Sequence, residues 1–296
     1  MEKSRFLKLK PMLLHEIFKP FNSKNYIFEI KFDGIRALIY IDKGNIIIKS
    51  RNNIILNDTY PELLSIKDIS DDTCVFDGEI VLFDDGKPNF SKLQERTRLK
   101  NKHRIEEFSQ NNPVTFVCFD VLYKNKDLTN LSLIERKEIL NKFKDTNNFI
   151  KTKYFEEEGN ELFKLIKKEK LEGIIAKEKS SKYNYGLRTK EWIKIKNFRE
   201  EEFYIAGFIK IKSENVVSAL LCEKKNNKYY FVGKVLFSHN NKDYEKVINS
   251  KPIKNTIENC DEKAIFIKPC YKLKINYMER TKNNMLRQPF IKQDNE

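Results

Sequence analysis

The sequence predicts a protein of the α+β class, in which antiparallel sheets flanked by helices are followed by a small β-barrel. Runs in which apolar and polar residues alternate recur along the whole chain and predict strands. Helical spacing occurs in SLIERKEILNKF and NELFKLIKKEK, and Ser132 and Glu135 are spaced as a capping box at the start of the first segment. The length of 296 residues, of which 40% are hydrophobic, is sufficient for two domains with separate cores.

The two predicted domains differ in their elements. Strands of the first domain are NYIFEIKF, RALIYI, NIIIKS, CVFDGEIVLF and VTFVCFDVLY, with a turn from Asp42 to Asn45. After a charged junction, KNFREEE at 196–202, only short strands separated by turns follow: FYIAGFIKI, VVSALLCEK, YYFVGKVLF and AIFIKPCYKLKINY. We therefore place the boundary near Arg199, with the first domain at 1–198 and a barrel of the OB-fold type at 199–296.

Composition narrows the class of partner and the compartment. Lys and Arg number 57 against 43 Asp and Glu, a net charge of +14, which favours a polyanion such as nucleic acid. A generally basic protein without such a partner is the alternative. The chain has no signal-peptide pattern and no apolar run long enough to cross a bilayer, which predicts a cytoplasmic location. Five scattered cysteines without a CxxC pair argue against structural zinc and favour reduced thiols.

A lysine interrupts the apolar strand FEIKFDGIRALIY. Side chains alternate between the two faces of a strand. One face carries Phe28, Ile30 and Phe32, and the other carries Glu29, Lys31 and Asp33. Lys31 is therefore predicted to point into a polar cleft from a rigid support, with Gly34 permitting a turn before Arg36.

Four further segments carry polar side chains in the same alternation. They contain Asp77 and Glu79, Asp120 next to Phe119, Glu172 and Lys177, and Lys194 and Lys196 next to Trp192. Lysines, arginines and carboxylates in one cleft suit a nucleoside triphosphate with a divalent metal, and an aromatic ring suits its base. No GxxxxGK[ST] loop is present, so the phosphates are not held as in a P-loop. Any one segment alone could be an ordinary solvated sheet face; the five in this order favour a site.

The order of these short motifs resembles that of the covalent nucleotidyltransferases. The motifs are K-x-D-G-x-R, S-R-N, F-D-G-E, F-D-x-L, E-G-x-x-x-K and W-x-K-x-K. The finer resemblance is to ATP-dependent DNA ligases, in particular the ligase module of bacterial end-joining ligases. The stretches KPMLLHEIFKPF, FSKLQERT and MLRQPFIK also resemble parts of that module, so the resemblance covers nearly the whole chain.

The resemblance implies a role for each matching residue. Lys31 would be the nucleophile that takes AMP in a phosphoramidate bond, Glu29 would read the adenine amino group, and Phe119 would stack on adenine. The other implied roles are the motif aspartate Asp33, the phosphate or ribose contacts Arg36 and Arg51, the ribose or metal carboxylate Glu79, the metal carboxylate Glu172, and the α-phosphate contacts Lys194 and Lys196. Alternatively, Arg51 ends a hairpin, Trp192 packs in the core and Lys177 is a surface lysine.

The resemblance also implies an activity: sealing of 5′-phosphate/3′-hydroxyl nicks with ATP and Mg²⁺ or Mn²⁺. Neighbouring cations (Lys194, Lys196, Arg36 and the metal) are expected to disfavour the charged form of Lys31 and so activate it. The expected partners are nicked or broken duplex DNA and an end-binding repair protein, and the protein is expected to act as a monomer whose two domains rearrange about KNFREEE. An RNA ligase, a capping-type enzyme and a non-catalytic nucleic-acid-binding protein are the alternatives.

The end of the chain departs from the family pattern. The family usually ends in a basic motif like R-x-D-K, whereas Lys292 and Asp294 form at most a remnant of it. Because a lysine lacks the planar fork of an arginine, the sequence predicts weaker orientation of the leaving pyrophosphate.

Overall fold

The computed structural model describes residues 3–212 and 215–291, and the chain divides into two compact units, Met1–Asn197 and Phe198–Glu296. The division lies next to the junction at which the character of the sequence changes. Helices in the described residues are α1 (Lys3–Lys8), a 3-10 helix (Pro61–Ile69), α2 (Phe90–Thr97), α3 (Lys102–Asn111), α4 (Leu133–Asn141), α5 (Gly159–Glu169) and α6 (Tyr244–Ile248). In these two ranges no helix is long and apolar enough to cross a membrane.

The first unit contains a five-stranded sheet that carries the Lys31 strand. Its strands, numbered in chain order, are β1 (Leu13–Ile17), β2 (Ser23–Lys31), β10 (Tyr154–Glu157), β11 (Gly173–Glu178) and β12 (Arg188–Lys196). Their order in the sheet is β1-β12-β11-β2-β10. Helix α5 covers one face, where Leu162 and Ile166 pack with Phe28, Ile174 and Ile195. The predicted alternation in β12 is confirmed, since Trp192 belongs to a different core from Ile195.

The second sheet of this unit has seven strands. They are β3 (Ile35–Asp42), β4 (Asn45–Ser50), β5 (Cys74–Asp84), β6 (Lys87–Pro88), β7 (Val114–Lys124), β8 (Lys126–Asp127) and β9 (Phe149–Lys151). The main order is β4-β3-β5-β7-β8, with β6 on β5 and β9 on β7. The predicted hairpin between β3 and β4 is confirmed, and its two central residues, Lys43 and Gly44, have φ values of 47° and 76°.

A shared core joins the two sheets and sets the position of the pocket described below. It contains Ile27 of β2, Leu38 of β3, Val75 of β5, Phe119 of β7 and Trp192 of β12. Because residues from both sheets meet in this core, the polar residues next to them in each strand are brought toward each other.

The second unit is built on one curled sheet. Its strands are β13 (Arg199–Lys210), β14 (Val216–Lys225), β15 (Lys228–Ser238), β16 (Pro252–Ile253), β17 (Ile257–Glu258) and β18 (Ile265–Tyr277), in the order β16-β18-β13-β14-β15-β17. A bulge between Ile205 and Gly207 bends β13, which pairs with both β14 and β18. Apolar side chains such as Phe208, Leu221 and Ile275 fill the inner face.

The prediction of the α+β class with an OB-like curled sheet is confirmed. The sheets are mixed rather than wholly antiparallel, since the pairs β1/β12, β7/β9 and β15/β17 are parallel.

Candidate active site

Lys31 lies at the end of β2, beside a carboxylate from the neighbouring strand. Its Nζ donates a hydrogen bond to Glu172 Oε2 at 2.7 Å, and its side chain is 18% exposed. Glu172 immediately precedes β11, in which Gly173 pairs with Lys31 on one side and with Lys196 of β12 on the other. Directly paired residues project to the same face of a sheet, so Lys31 and Lys196 flank a position that has no side chain.

The expectation that neighbouring cations lower the pKa of Lys31 is wrong for this structure. Burial lowers its pKa, but the carboxylates of Glu172, Glu79 and Asp33 outweigh burial, so the pKa is raised above the ordinary value of 10.5. The side-chain cations that were expected to activate Lys31 are themselves paired with carboxylates: Arg36 with Asp77, and Lys194 and Lys196 with Glu16. In this structure Lys31 is therefore an ammonium group held by Glu172.

Two glycines permit this close arrangement. A Cβ on Gly34 would lie 2.3 Å from the carbonyl oxygen of Ile80, and a Cβ on Gly173 would lie 2.2 Å from that of Ile195. The glycines of the DG after Lys31 and of the EG at Glu172 thus have a steric reason, because any side chain at these positions would collide with the neighbouring strand.

Glu79 is the second carboxylate near Lys31. It lies on β5, opposite Arg36 of β3, and is half-buried. Burial raises its pKa from 4.5 to about 8, against the opposing influence of Lys31 and Arg36 and with further support from the charge on Glu172. At neutral pH the carboxyl group of Glu79 is accordingly protonated to a large extent in this structure.

The carboxylates also bear on the expected metal. Across the described part of the chain, no group of three or more His, Cys, Asp or Glu side chains is arranged to hold a metal ion. Glu79 and Glu172 lie near each other, since the charge on Glu172 contributes to the raised pKa of Glu79. Two protein carboxylates with oxygen ligands from a bound phosphate fit Mg²⁺, which is commonly held in this way.

Arg36 is held by a buried aspartate. Its Nε and Nη2 donate to the two oxygens of Asp77 at 3.1 and 2.7 Å, and Tyr183 Oη donates to Asp77 Oδ2 at 2.6 Å. The guanidinium carbon lies 5.3 Å from the centre of the Phe119 ring. Asp77 was predicted to share a face with Glu79, but its pairing with Arg36 and Tyr183 was not foreseen.

Phe119 forms an aromatic wall together with Trp192. Their ring centres are 6.3 Å apart at an angle of 77°, and Lys177 Nζ lies 4.1 and 4.2 Å from the two rings. Lys177 is fully buried, so the surface-lysine alternative is wrong, and burial lowers its pKa to about 8. Trp192 packs in the core as expected and also faces the pocket.

Glu29 lies beside this wall, between two lysines. It is 1% exposed, its Oε1 accepts a hydrogen bond from Lys137 of α4, and its Oε2 is 2.7 Å from Lys177 Nζ. The alternation in β2 correctly gave the face on which Glu29 lies, but that face is covered here rather than open. Lys137 was not singled out in the sequence.

Lys194 and Lys196 share one carboxylate, Glu16 of β1. The ammonium groups lie 2.8 and 3.3 Å from Glu16, and the parallel pairing of β1 with β12 places Glu16 opposite Lys194. Burial raises the pKa of Glu16, but the two lysines outweigh it and hold the pKa below 4.5. Glu16 lies in the stretch KPMLLHEIFKPF but was not singled out in the sequence, because its partners lie far along the chain.

One pocket gathers many of these side chains. It is lined by Leu14, Glu29, Ile30, Lys31, Phe32, Arg36, Glu79, Phe119, Thr152, Ile175, Lys177 and Trp192. Of the other predicted residues, Glu172 accepts a hydrogen bond from Lys31. Lys194 and Lys196 lie on β12, the strand that also carries Trp192. Asp33 raises the pKa of Lys31 through its charge. Arg51 is exposed, and only its backbone amide, which donates to the Arg36 carbonyl at 3.0 Å, ties it to the site. Lys292 and Asp294 lie outside the described residues.

A half-buried lysine between carboxylates, next to an aromatic wall where two sheets meet, is the arrangement of a covalent nucleotidyltransferase. The chain belongs to the ATP-dependent DNA ligase family: the family model described as ATP dependent DNA ligase domain matches residues 9–196. The prediction made from the ordered motifs is thus confirmed at the level of the family.

Known proteins resemble the chain in sequence and fold. The SPbeta prophage-derived DNA ligase-like protein LigB of Bacillus subtilis is 36% identical over 206 residues, which are 68% of this chain and 72% of LigB. The multifunctional non-homologous end joining protein LigD of Mycolicibacterium smegmatis is 28% identical over 94% of this chain, which spans only 37% of LigD. A mycobacterial DNA ligase D, solved in complex with ATP and MES, has the same fold with a TM-score of 0.60, 24% identity, and coverage of 97% of this chain and 94% of that one.

Proposed function

We propose that this member of the DNA ligase family seals nicks in duplex DNA through a covalent AMP intermediate on Lys31. The observation that carries the proposal is the row formed by Lys31, Gly173 and Lys196 across three strands, with Glu172 at 2.7 Å from the Lys31 amine. The row sets the proposed nucleophile and a cation on either side of a residue that has no side chain.

The pocket suggests how ATP would be seated. The base would lie against Phe119, with Glu29 and Lys177 at its polar edge, and Arg36 and Glu79 would face the ribose or phosphates. The two lysines of β12 would exchange Glu16 for the α-phosphate. Mg²⁺ held by Glu79 and Glu172 would neutralise phosphate charge and weaken the ion pair that keeps Lys31 protonated.

The first step follows from this seating. The Lys31 ammonium group gives up one proton, for which Glu172 Oε2 is the nearest acceptor, and the resulting amine attacks the α-phosphorus; the nitrogen loses a second proton to solvent as the phosphoramidate forms. A nitrogen–phosphorus bond forms while the bond to the β-phosphate oxygen breaks, and pyrophosphate leaves with its electron pair. Lys196, and Lys194 beside it, stabilise the charge that develops on the phosphoryl oxygens.

Two transfers to DNA complete the proposed reaction. A 5′-phosphate at a nick displaces Lys31 from the AMP, and the 3′-hydroxyl then attacks the activated phosphate, releases AMP and closes the strand. The net charge of +14 supports nicked or broken duplex DNA as the partner. If the basic surface carries binding, affinity for nicked DNA falls steeply as salt rises, because phosphate contacts release counterions. An end-binding repair protein is the proposed protein partner.

Labelling with radioactive ATP tests the proposal. We expect the wild-type protein to acquire covalent label with ATP and Mg²⁺, and to pass it to a nicked duplex in a chase without ATP. Lys31→Ala removes the nucleophile and should abolish labelling, whereas Lys24→Ala, an exposed lysine of the same strand, should not. Labelling by GTP without strand joining would indicate a capping-type enzyme, and sealing of RNA ends but not of nicked DNA would indicate an RNA ligase. DNA binding without any labelling would contradict the proposed activity.

A further inference from the structure

Three charged side chains are buried together at the polar edge of the pocket. They are Glu29 of β2, Lys137 of α4 and Lys177 of β11, and their residues are 1%, 2% and 0% exposed. Two lysines share one carboxylate, so the cluster is not balanced in charge. Removing such groups from water is costly unless every charge is paired and hydrogen-bonded.

A second buried ion pair, between Arg136 of α4 and Asp120, serves as a comparison because all of its charges are matched. Arg136 of α4 donates two hydrogen bonds to Asp120 at 2.9 Å, and its remaining Nη1 donates to the carbonyls of Leu131 and Ser181. Both charges of this pair are matched, and neither residue lines the pocket. The cluster of Glu29, Lys137 and Lys177 differs, because it has two cations for one carboxylate and because two of its residues line the pocket.

Within the Glu29 cluster, Lys177 has an unused donor. Its Nζ is 2.7 Å from Glu29 Oε2 but is not aligned for a hydrogen bond with any group in the described ranges of the chain. Lys177 and Glu29 both line the pocket, whereas Lys137 does not. The pocket wall therefore presents an acceptor next to a buried donor, with Lys137 behind the acceptor.

The hydrogen-bond donor and acceptor on the pocket wall determine whether adenine or guanine is the better match for the pocket. Adenine presents an amino donor at its six position beside a ring-nitrogen acceptor, and guanine presents a carbonyl acceptor there beside an N–H donor. An ionised Glu29 can only accept, which suits the amino group of adenine. The carbonyl of guanine would place a second acceptor against this carboxylate, which is unfavourable.

We propose that Lys137 is a specificity-determining positioning residue that holds the Glu29 carboxylate in place as a hydrogen-bond acceptor and thereby favours adenine over guanine. The hydrogen bond from Lys137 to Oε1 compensates the buried charge and fixes the carboxylate so that Oε2 faces Lys177. Without this lysine, the carboxylate keeps a single, poorly aligned cation and is no longer fixed in one orientation toward the base. The inference rests on the proposed function, because it assumes that the pocket binds the base of a nucleoside triphosphate.

Affinity and covalent labelling with ATP and GTP test the inference. In Lys137→Met we expect the preference for ATP over GTP to fall about tenfold or more, the size expected when a charge-assisted hydrogen bond is lost. Lys137→Arg keeps the cation and should retain most of the preference. Lys142→Met, an exposed lysine just beyond the same helix, is the matched control and should behave as wild type.

The ratio of the two nucleotides separates specificity from folding. A merely structural role of Lys137 would weaken ATP and GTP equally, so an unchanged ratio in Lys137→Met overturns the inference. If that variant fails to fold, Glu29→Gln/Lys137→Met replaces both charges with neutral groups, and an unchanged preference in this double variant would overturn the inference equally. Failure of the wild-type protein to bind or to be labelled by either nucleotide would instead contradict the proposed function, and the inference with it.

Discussion

Replacing Glu79 by glutamine should make the protein more stable in alkaline solution, even though it removes a site residue. Burial raises the pKa of Glu79 from 4.5 to about 8 in the folded protein. Between these values the folded carboxyl group keeps a proton that the unfolded chain loses, so unfolding releases a proton. The free energy of unfolding of the wild-type protein therefore falls as pH rises through this window.

The structure sets the size of the effect. The difference between 4.5 and about 8, at about 1.4 kcal/mol for each pKa unit, corresponds to about 5 kcal/mol as a ceiling. Because the side chain is half-buried and relaxation reduces the burial cost, we expect about 2 to 5 kcal/mol at pH 9. At pH 5 the protonated carboxyl group resembles the amide in shape and charge, so the two proteins should differ little.

Chemical denaturation at a series of pH values measures this difference. The wild-type curve should lose stability relative to Glu79→Gln between about pH 5 and pH 8, and the gap should then stay constant. Parallel curves across the whole range, or a less stable glutamine variant at pH 9, would refute the burial argument. The variant should also lose adenylylation, which would show that Glu79 lowers stability at a position that the reaction needs.

Three further perturbations test other parts of the site. Glu16→Gln should bind ATP severalfold more tightly in a titration, because the two lysines of β12 no longer hold a resident carboxylate; weaker binding would instead make Glu16 an orienting group. Asp77→Asn should cost about 3 kcal/mol in a denaturant melt, because a buried guanidinium loses its counter-charge, and wild-type stability would contradict this. Gly173→Ala should lower stability by about 1 to 3 kcal/mol and reduce labelling, since its Cβ would lie 2.2 Å from a carbonyl oxygen; full labelling would show that the strands adjust freely.

Local features of the structure were predictable from the sequence because their causes are local. The capping box of α4 joins Ser132 and Glu135 within one turn, and both of its hydrogen bonds form. The strand alternation likewise placed Ile193 and Ile195 in one core and Trp192 in another. By contrast, the 3-10 helix at Pro61–Ile69 and helix α3 were not predicted, since neither shows a clean apolar period.

The ion pairs of the site were not predictable, because they join residues far apart in the sequence. Glu16 meets Lys194 only through the parallel pairing of β1 with β12. Alternation gives the face on which a side chain lies but not what covers that face, and so the burial of Glu29 beneath Lys137 of α4 was missed. For the same reason the cations near Lys31 were expected to lower its pKa, whereas nearby carboxylates raise it.

Identification of the adenylylated residue tests the central claim most directly. After incubation with ATP and Mg²⁺, proteolysis and mass spectrometry should locate one AMP on the peptide that contains Lys31. That modification should disappear when nicked duplex DNA is added, as the strand is sealed. AMP on a different residue, or on the Lys31→Ala protein, would contradict the account.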